Sequence, residues 1–129
     1  MNSPCKDVVM NNNEDNSEPF RKELEQQARQ FEVFLQAKLK PRTIYRHAVV
    51  IGNLIDFLCF DCEITRFEDI QRGMVCSRFR SWYCSNMQDR TESEVNTSVK
   101  KFFHFLVTEQ GISVGNDVLV GLKIAGRRQ

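Results

Sequence analysis

Two stretches of the chain carry side chains suited to holding an anion. Pro41 to Leu58 opens with Arg42, Thr43, Tyr45 and Arg46 and closes with Ile51, Leu54, Ile55 and Leu58. Val95 to Val107 opens with Asn96, Thr97, Lys100 and Lys101 and closes with Phe102, Phe103, Phe105 and Leu106. Each reads as a helix with a polar, basic start and an apolar end. Such a helix plants its far end in a core and offers hydroxyls, amides and cations to an anion such as a nucleic-acid backbone. No nucleophile-base pair, metal set or glycine-rich phosphate loop is visible, so binding is favoured over catalysis and no cofactor or metal is expected.

The charge distribution supports that reading more than the total does. Net charge is only +1. From Gln36 to Ile55, however, lie four cations (Lys38, Lys40, Arg42, Arg46) and no acid, while Asp56 to Ile70 holds five acids (Asp56, Asp61, Glu63, Glu68, Asp69) against Arg66. Basic and acidic segments therefore alternate along the helices. The four cations suit either phosphate contact or the solvated face of an ordinary helix. His47 and His104 read as solvent-facing spectators, and Tyr45 as either a phosphate donor or a packing residue.

Five cysteines leave one over in any disulfide scheme, and most sit inside apolar helical patterns, so reduced thiols are expected. Cys59 and Cys62 have the C-x-x-C spacing of a zinc or redox site. Zinc wants a second close pair; Cys76 and Cys84 are eight apart, which favours core cysteines. No run of about 18 apolar residues is present to cross a bilayer and the first residues are too polar for a secretory signal, so a cytoplasmic protein without membrane contact is expected.

The elements that must position these residues are helical throughout. Residues 1–18, rich in asparagine and acids, read as a disordered arm. The apolar spacing of Phe20, Leu24, Ala28, Phe31, Leu35 and Leu39 predicts a first helix from Pro19, a good first-turn residue, to Leu39. Pro41 starts a second, with Ile44, Ala48, Ile51, Ile55 and Leu58 inward. Thr65 and Glu68 match a capping box opening a third helix that runs to about Asn86 with Phe67, Ile70, Met74, Phe79 and Trp82 on its apolar face. A fourth begins near Thr91 or Ser93, buries Val95, Val99, Phe102, Phe103 and Leu106, and stops at Gly111. Phe105 is the aromatic expected to face solvent, and a short turn is expected around Val118 to Leu122. With 129 residues, one domain suffices: an all-α unit over 19–116, with 117–129 as a tail or linker.

In order and spacing, the Thr43-Ile44-Tyr45 helix start, the Ile64-Thr65 and Glu68-Asp69-Ile70 helix start, and the segment Asn96 to Gly111 together resemble the core-binding, or N-terminal SAM-like, domain of tyrosine recombinases and phage integrases. The resemblance covers roughly Glu23 to Asn116. It implies an orthogonal four-helix SAM-like bundle forming one half of a clamp around duplex DNA, with the second and fourth helices against the major groove and nearby backbone. The DNA-contacting residues it implies are Arg42, Thr43, Tyr45 and Arg46 on the second helix and Asn96, Lys100 and Lys101 on the fourth; the charge map adds Lys40. In that family a separate catalytic domain carries a tyrosine nucleophile with arginines, a lysine and histidines. None of that constellation is found here, so the chain is expected to be non-catalytic, with duplex DNA and other recombinase protomers as partners and no small-molecule substrate.

Two positions depart from the pattern. Glu94 stands where the family usually has threonine or serine, and an acid there opposes phosphate unless it points away. Asn116-Asp117 replaces the Asn-Pro that often closes the domain. The rival reading from another class is a helical protein-interaction module, or a regulator pairing with a recombinase through the fourth helix and the C-terminal tail.

Overall fold

Phe20, Leu24, Phe31 and Leu35 form the buried stripe of α1 (Asn11–Gln36). The computed structural model describes the backbone of residues 11–124 and side chains from Glu18 onward. The expected arm is therefore corrected in part: residues 11–18 are helical, and residues 1–10 lie outside the described residues. Pro19 sits inside the helix rather than in its first turn, and it is exposed. Helix propagates cheaply from a turn already anchored by packing, here at Phe20 and Leu24. That extension carries no apolar spacing of its own for a sequence reading to find.

A tight turn leads to α2 (Pro41–Asp56), with Pro41 in its first turn and Lys40 in extended geometry before it. Ile44, Val50, Ile51, Leu54 and Ile55 are buried, and the helix continues as a π-helical turn, Phe57–Asp61, that buries Phe57, Leu58 and Cys59. Ala48 is only half-buried. The hairpin is antiparallel, since Arg21 near the start of α1 donates to Asp56 at the end of α2 at 2.6 Å. The continuous helix Pro41–Asp61 has 21 residues, and an 18-residue stretch of it reaches a mean hydropathy of 1.2, long and apolar enough to cross a bilayer by length and composition, contrary to the sequence expectation; half of that stretch is buried inside the bundle.

The third segment departs most from expectation. Thr65 and Glu68 form no capping box: Phe67–Asp69 is a single 3₁₀ turn preceded by Arg66, without a side-chain cap. Arg66 instead pairs with Asp69 at 3.2 Å, and Ile70 is extended and buried. The helix resumes at Arg72 through a π-helical turn, Met74–Arg78, into α3 (Phe79–Asn86). Its first free N–H, on Arg72, donates to Asp117 Oδ2 at 3.0 Å. A carboxylate at a helix start satisfies a backbone donor and complements the helix dipole.

α4 (Glu92–His104) buries Val95, Val99, Phe102 and Phe103, then passes into a π-helical turn, Phe105–Glu109. That turn overturns the expected exposure of Phe105. Phe105, Leu106 and Val107 are all buried in succession, and Phe105 packs against Phe31 and Phe34 with ring centroids 5.5 and 5.1 Å away. α2 and α4 also end alike. Beyond α2, Cys62 N–H reaches Phe57 O (3.0 Å) and Ile64 N–H reaches Leu58 O (3.0 Å), around Glu63 at φ 55°. Beyond α4, Gln110 N–H reaches Phe105 O (3.1 Å) and Ile112 N–H reaches Leu106 O (2.9 Å), around Gly111 at φ 67°. Left-handed geometry costs glycine little and glutamate roughly 1 to 2 kcal/mol.

The short turn expected around Val118 to Leu122 is a fifth helix, α5 (Asn116–Leu122), with Val118, Leu122 and the following Ile124 buried. It lies close on the third segment. A Cβ at Gly121 would come within 2.8 Å of both Arg72 Cγ and Cys76 Sγ, so only glycine permits this approach. The described residues are thus all-helical, as expected, with five α-helices and no strand.

Removing the cap by Asp117→Ala is predicted to lower stability by about 1 kcal/mol, the usual magnitude for loss of a helix N-cap. Thermal unfolding checks this, and an unchanged midpoint would show that the Arg72 N–H is equally well served by water.

Candidate nucleic-acid interface

α4 begins on Thr91, whose hydroxyl accepts from Glu94 N–H at 3.1 Å while Glu94 Oε1 accepts from Thr91 N–H at 2.8 Å. This reciprocal capping box gives the acid at position 94 a structural role. The Thr91 N–H holds the Glu94 carboxyl below the usual carboxylate range, with Arg90 and Arg46 adding to the effect. Glu94 is exposed, so these charges act through solvent.

Packing of α2 on α4 brings their first turns side by side. Between them lies a shallow cleft of about 190 Å³, lined by Thr43, Arg46 and His47 from α2, Arg90 before α4, and Ser93, Glu94, Thr97 and Ser98 from α4. His47 Nδ1 and Ser98 Oγ share a hydrogen bond of 2.7 Å. His47 is half-buried rather than solvent-facing, which corrects the spectator reading. Burial, then Lys101 and Arg90, push its pKa below the ordinary 6.5. Arg46 makes no ion pair among the described residues, and Arg90 reaches only its neighbour Asp89, at 3.9 Å.

Of the residues implied by the sequence, Thr43 and Arg46 line the cleft itself. Lys40, Arg42 and Tyr45 are exposed around the start of α2, Tyr45 at 69%. Lys100 and Lys101 are exposed on α4 and line a second groove, of about 570 Å³, between α1 and α4. Asn96 does not join them. It shares a helix face with Glu92, whose Oε1 lies 3.6 Å from Arg80 Nε, so it is turned toward the third helical segment; its Oδ1 is buried without a partner. Helical phase separates Asn96 from the cleft, because positions 96 and 98 lie about 160° apart around an axis that turns about 100° per residue, while Asn96 and Lys100, four apart, keep to one side of α4.

Comparisons with family models, with characterised proteins and with solved structures returned no match. The chemistry must be read from the side chains alone. Tyr83 is fully buried, and burial pushes its phenol up to about 12, away from any nucleophilic role at neutral pH. Cys59 is buried and Cys62, Cys76 and Cys84 half-buried; all four are unpaired, and burial pushes each thiol up, the reverse of an activated thiolate. Among the described residues no three of His, Cys, Asp or Glu come together to hold a metal. Trp82 stacks on Phe79 at 6.0 Å and packs on Phe57 at 5.6 Å, within the core.

Sequence reasoning missed His47, Arg90, Ser93 and Ser98. The Thr91 to Glu94 spacing is itself a capping-box signature that fixes the phase of α4, and that phase brings Glu94 and Ser98, four apart, to one side.

The His47 shift has a definite sign. A histidine whose folded pKa lies below its unfolded value stabilises the fold fully above the unfolded pKa, and that stability is lost as pH falls through about 6.5 toward the folded pKa. His47→Gln, which keeps a polar partner for Ser98, is predicted to flatten stability against pH in that window. Denaturant unfolding at pH 5 to 7.5 checks it; an unchanged slope would place the pH dependence elsewhere.

Proposed function

We propose that the α2/α4 face binds duplex DNA through its phosphates and performs no chemistry itself. The observation that carries this reading is the convergence of Arg46 and Arg90, from separate elements, on one cleft with the hydroxyls of Thr43, Ser93 and Thr97. Cations held at and beside helix starts with hydroxyls between them suit phosphate oxygens, which position a protein on a duplex without reading its sequence. Lys40, Arg42 and Tyr45 extend the contact along α2, and Lys100 and Lys101 extend it along α4. With Asn96 turned toward the third segment, base contact falls to Arg46, whose guanidinium suits the acceptor edge of guanine. Glu94 opposes the phosphate charge weakly and completes the capping box.

The narrower form of the proposal is that α1 to α4 are a SAM-like core-binding domain of a tyrosine recombinase or integrase. Its support is the helix start at Thr43-Ile44-Tyr45 and the segment Asn96 to Gly111; the Thr65 to Glu68 motif between them opens no helix and lends none.

Titration of a short fluorescent duplex at several salt concentrations tests the reading. With about five phosphates neutralised, log K should fall against log salt with a slope near −4 to −5. Arg42→Glu with Arg46→Glu should weaken binding at least roughly tenfold, as expected when phosphate cations are reversed. Glu94→Gln keeps a residue competent for the capping box while removing a charge, and should tighten binding. Absence of binding at low salt, or binding indifferent to salt, would overturn the proposal in favour of a protein-interaction module.

A further inference from the structure

Two surface features outside the cleft are complementary in charge and apolar character. The groove between α1 and α4 has Phe34, Leu35 and Leu39 in its floor and Lys38, Lys100 and Lys101 on its rim, with Glu109 its one acid. None of those lysines forms an ion pair among the described residues; Lys38 Nζ instead lies 4.5 Å from the Phe34 ring centroid. At the end of α2, Phe60 is 66% exposed, with the exposed acids Asp61 and Glu63 beside it. The Arg21 guanidinium lies over it, 4.9 Å from the ring centroid.

We propose that the chain associates with itself head to tail, Phe60 of one copy seating in the α1/α4 groove of the next, with Asp61 and Glu63 meeting the lysine rim. Phe60 cannot fill its own groove. It lies against Arg21, and Arg21 and Lys38 are roughly 25 Å apart along a helix rising about 1.5 Å per residue. A knob and a groove at opposite ends of one hairpin give a heterologous contact, which propagates instead of closing as a two-fold dimer. The contact covers Lys100 and Lys101, so DNA on α4 and a second copy compete for the same cations. The association itself needs no DNA and stands or falls apart from the DNA reading.

Sedimentation velocity of the full chain without DNA, over a range of concentration and salt, tests the proposal. The weight-average mass should rise past that of a dimer with concentration and fall with salt. Phe60→Ala alters only an exposed side chain and should weaken association roughly tenfold or more, as removal of a central aromatic does. Lys100→Glu with Lys101→Glu should do the same from the other side, with circular dichroism confirming that both variants are folded. The decisive arm mixes the two variants. One intact knob and one intact groove remain, so the mixture should form dimers and nothing larger. A wild-type chain that stays monomeric at all concentrations, a Phe60→Ala variant that assembles like the wild type, or a mixture that fails to pair would each overturn the proposal. So would a monomeric wild type that instead takes an acidic, aromatic peptide, which would assign the groove to a different partner.

Discussion

α2 must bury an apolar face against α1 on one side and α4 on the other, and the positions of the remaining side chains follow from that double contact. Ile51, Leu54 and Leu58 of the α2 helix and Val99, Phe102 and Leu106 of the α4 helix are almost wholly removed from water. Phe31 brings α1 into the same core, with its ring 5.3 Å from Phe102. Each such side chain contributes about 1.5 to 3 kcal/mol by burial, before the entropy of ordering is set against it. The polar starts of α2 and α4 are carried along by this packing. Thr43, Arg46 and Arg90 stand together because the apolar residues farther along both helices fix where the first turns lie.

The same constraint explains which parts of the molecule were legible in the sequence. Apolar residues at helical spacing marked α2 and α4 well: α2 does start at Pro41, α4 starts beside Thr91, and Gly111 takes the left-handed geometry beyond it. What escaped was phase and width. Phe105 was assigned to solvent on a 3.6-residue repeat, but the π-helical turn at Phe105–Glu109 resets the rotation and brings three successive residues inside. The resemblance implies Asn96 as a DNA contact beside Lys100, and the two do share one side of α4, but the Asn96 Oδ1 is buried without a partner, which spacing alone does not reveal. The Thr65 to Glu68 pattern and the Thr91 to Glu94 pattern are equivalent as strings, yet only the second closes a box, because Arg66 claims Asp69 and Ile70 turns extended into the core. Tertiary demands of that kind are not written in local spacing.

The electrostatics of the two surfaces differ in a way the net charge of +1 conceals. Around the cleft, arginines, a neutral histidine and hydroxyls surround one carboxylate engaged in a cap. Around the groove, lysines stand over aromatic and aliphatic side chains. Guanidinium groups favour planar, bidentate contacts with oxyanions, whereas ammonium groups on long stems act as point charges that tolerate varied partners. The α4 helix borders both surfaces, with Thr97 lining each.

The bond from Arg72 N–H to Asp117 joins residues 45 positions apart. Bringing those positions together costs a loop-closure entropy that grows with the logarithm of the separation. The helical segment entering α3 therefore has a start that its own residues do not complete. As a chain is synthesised from its N-terminus, the α1/α2 hairpin can form from local contacts, but the cap on Arg72 has no acceptor until Asp117 has emerged and α5 has folded onto Cys76 and Arg72. In order of assembly, the beginning of the third segment belongs with the end of the described chain.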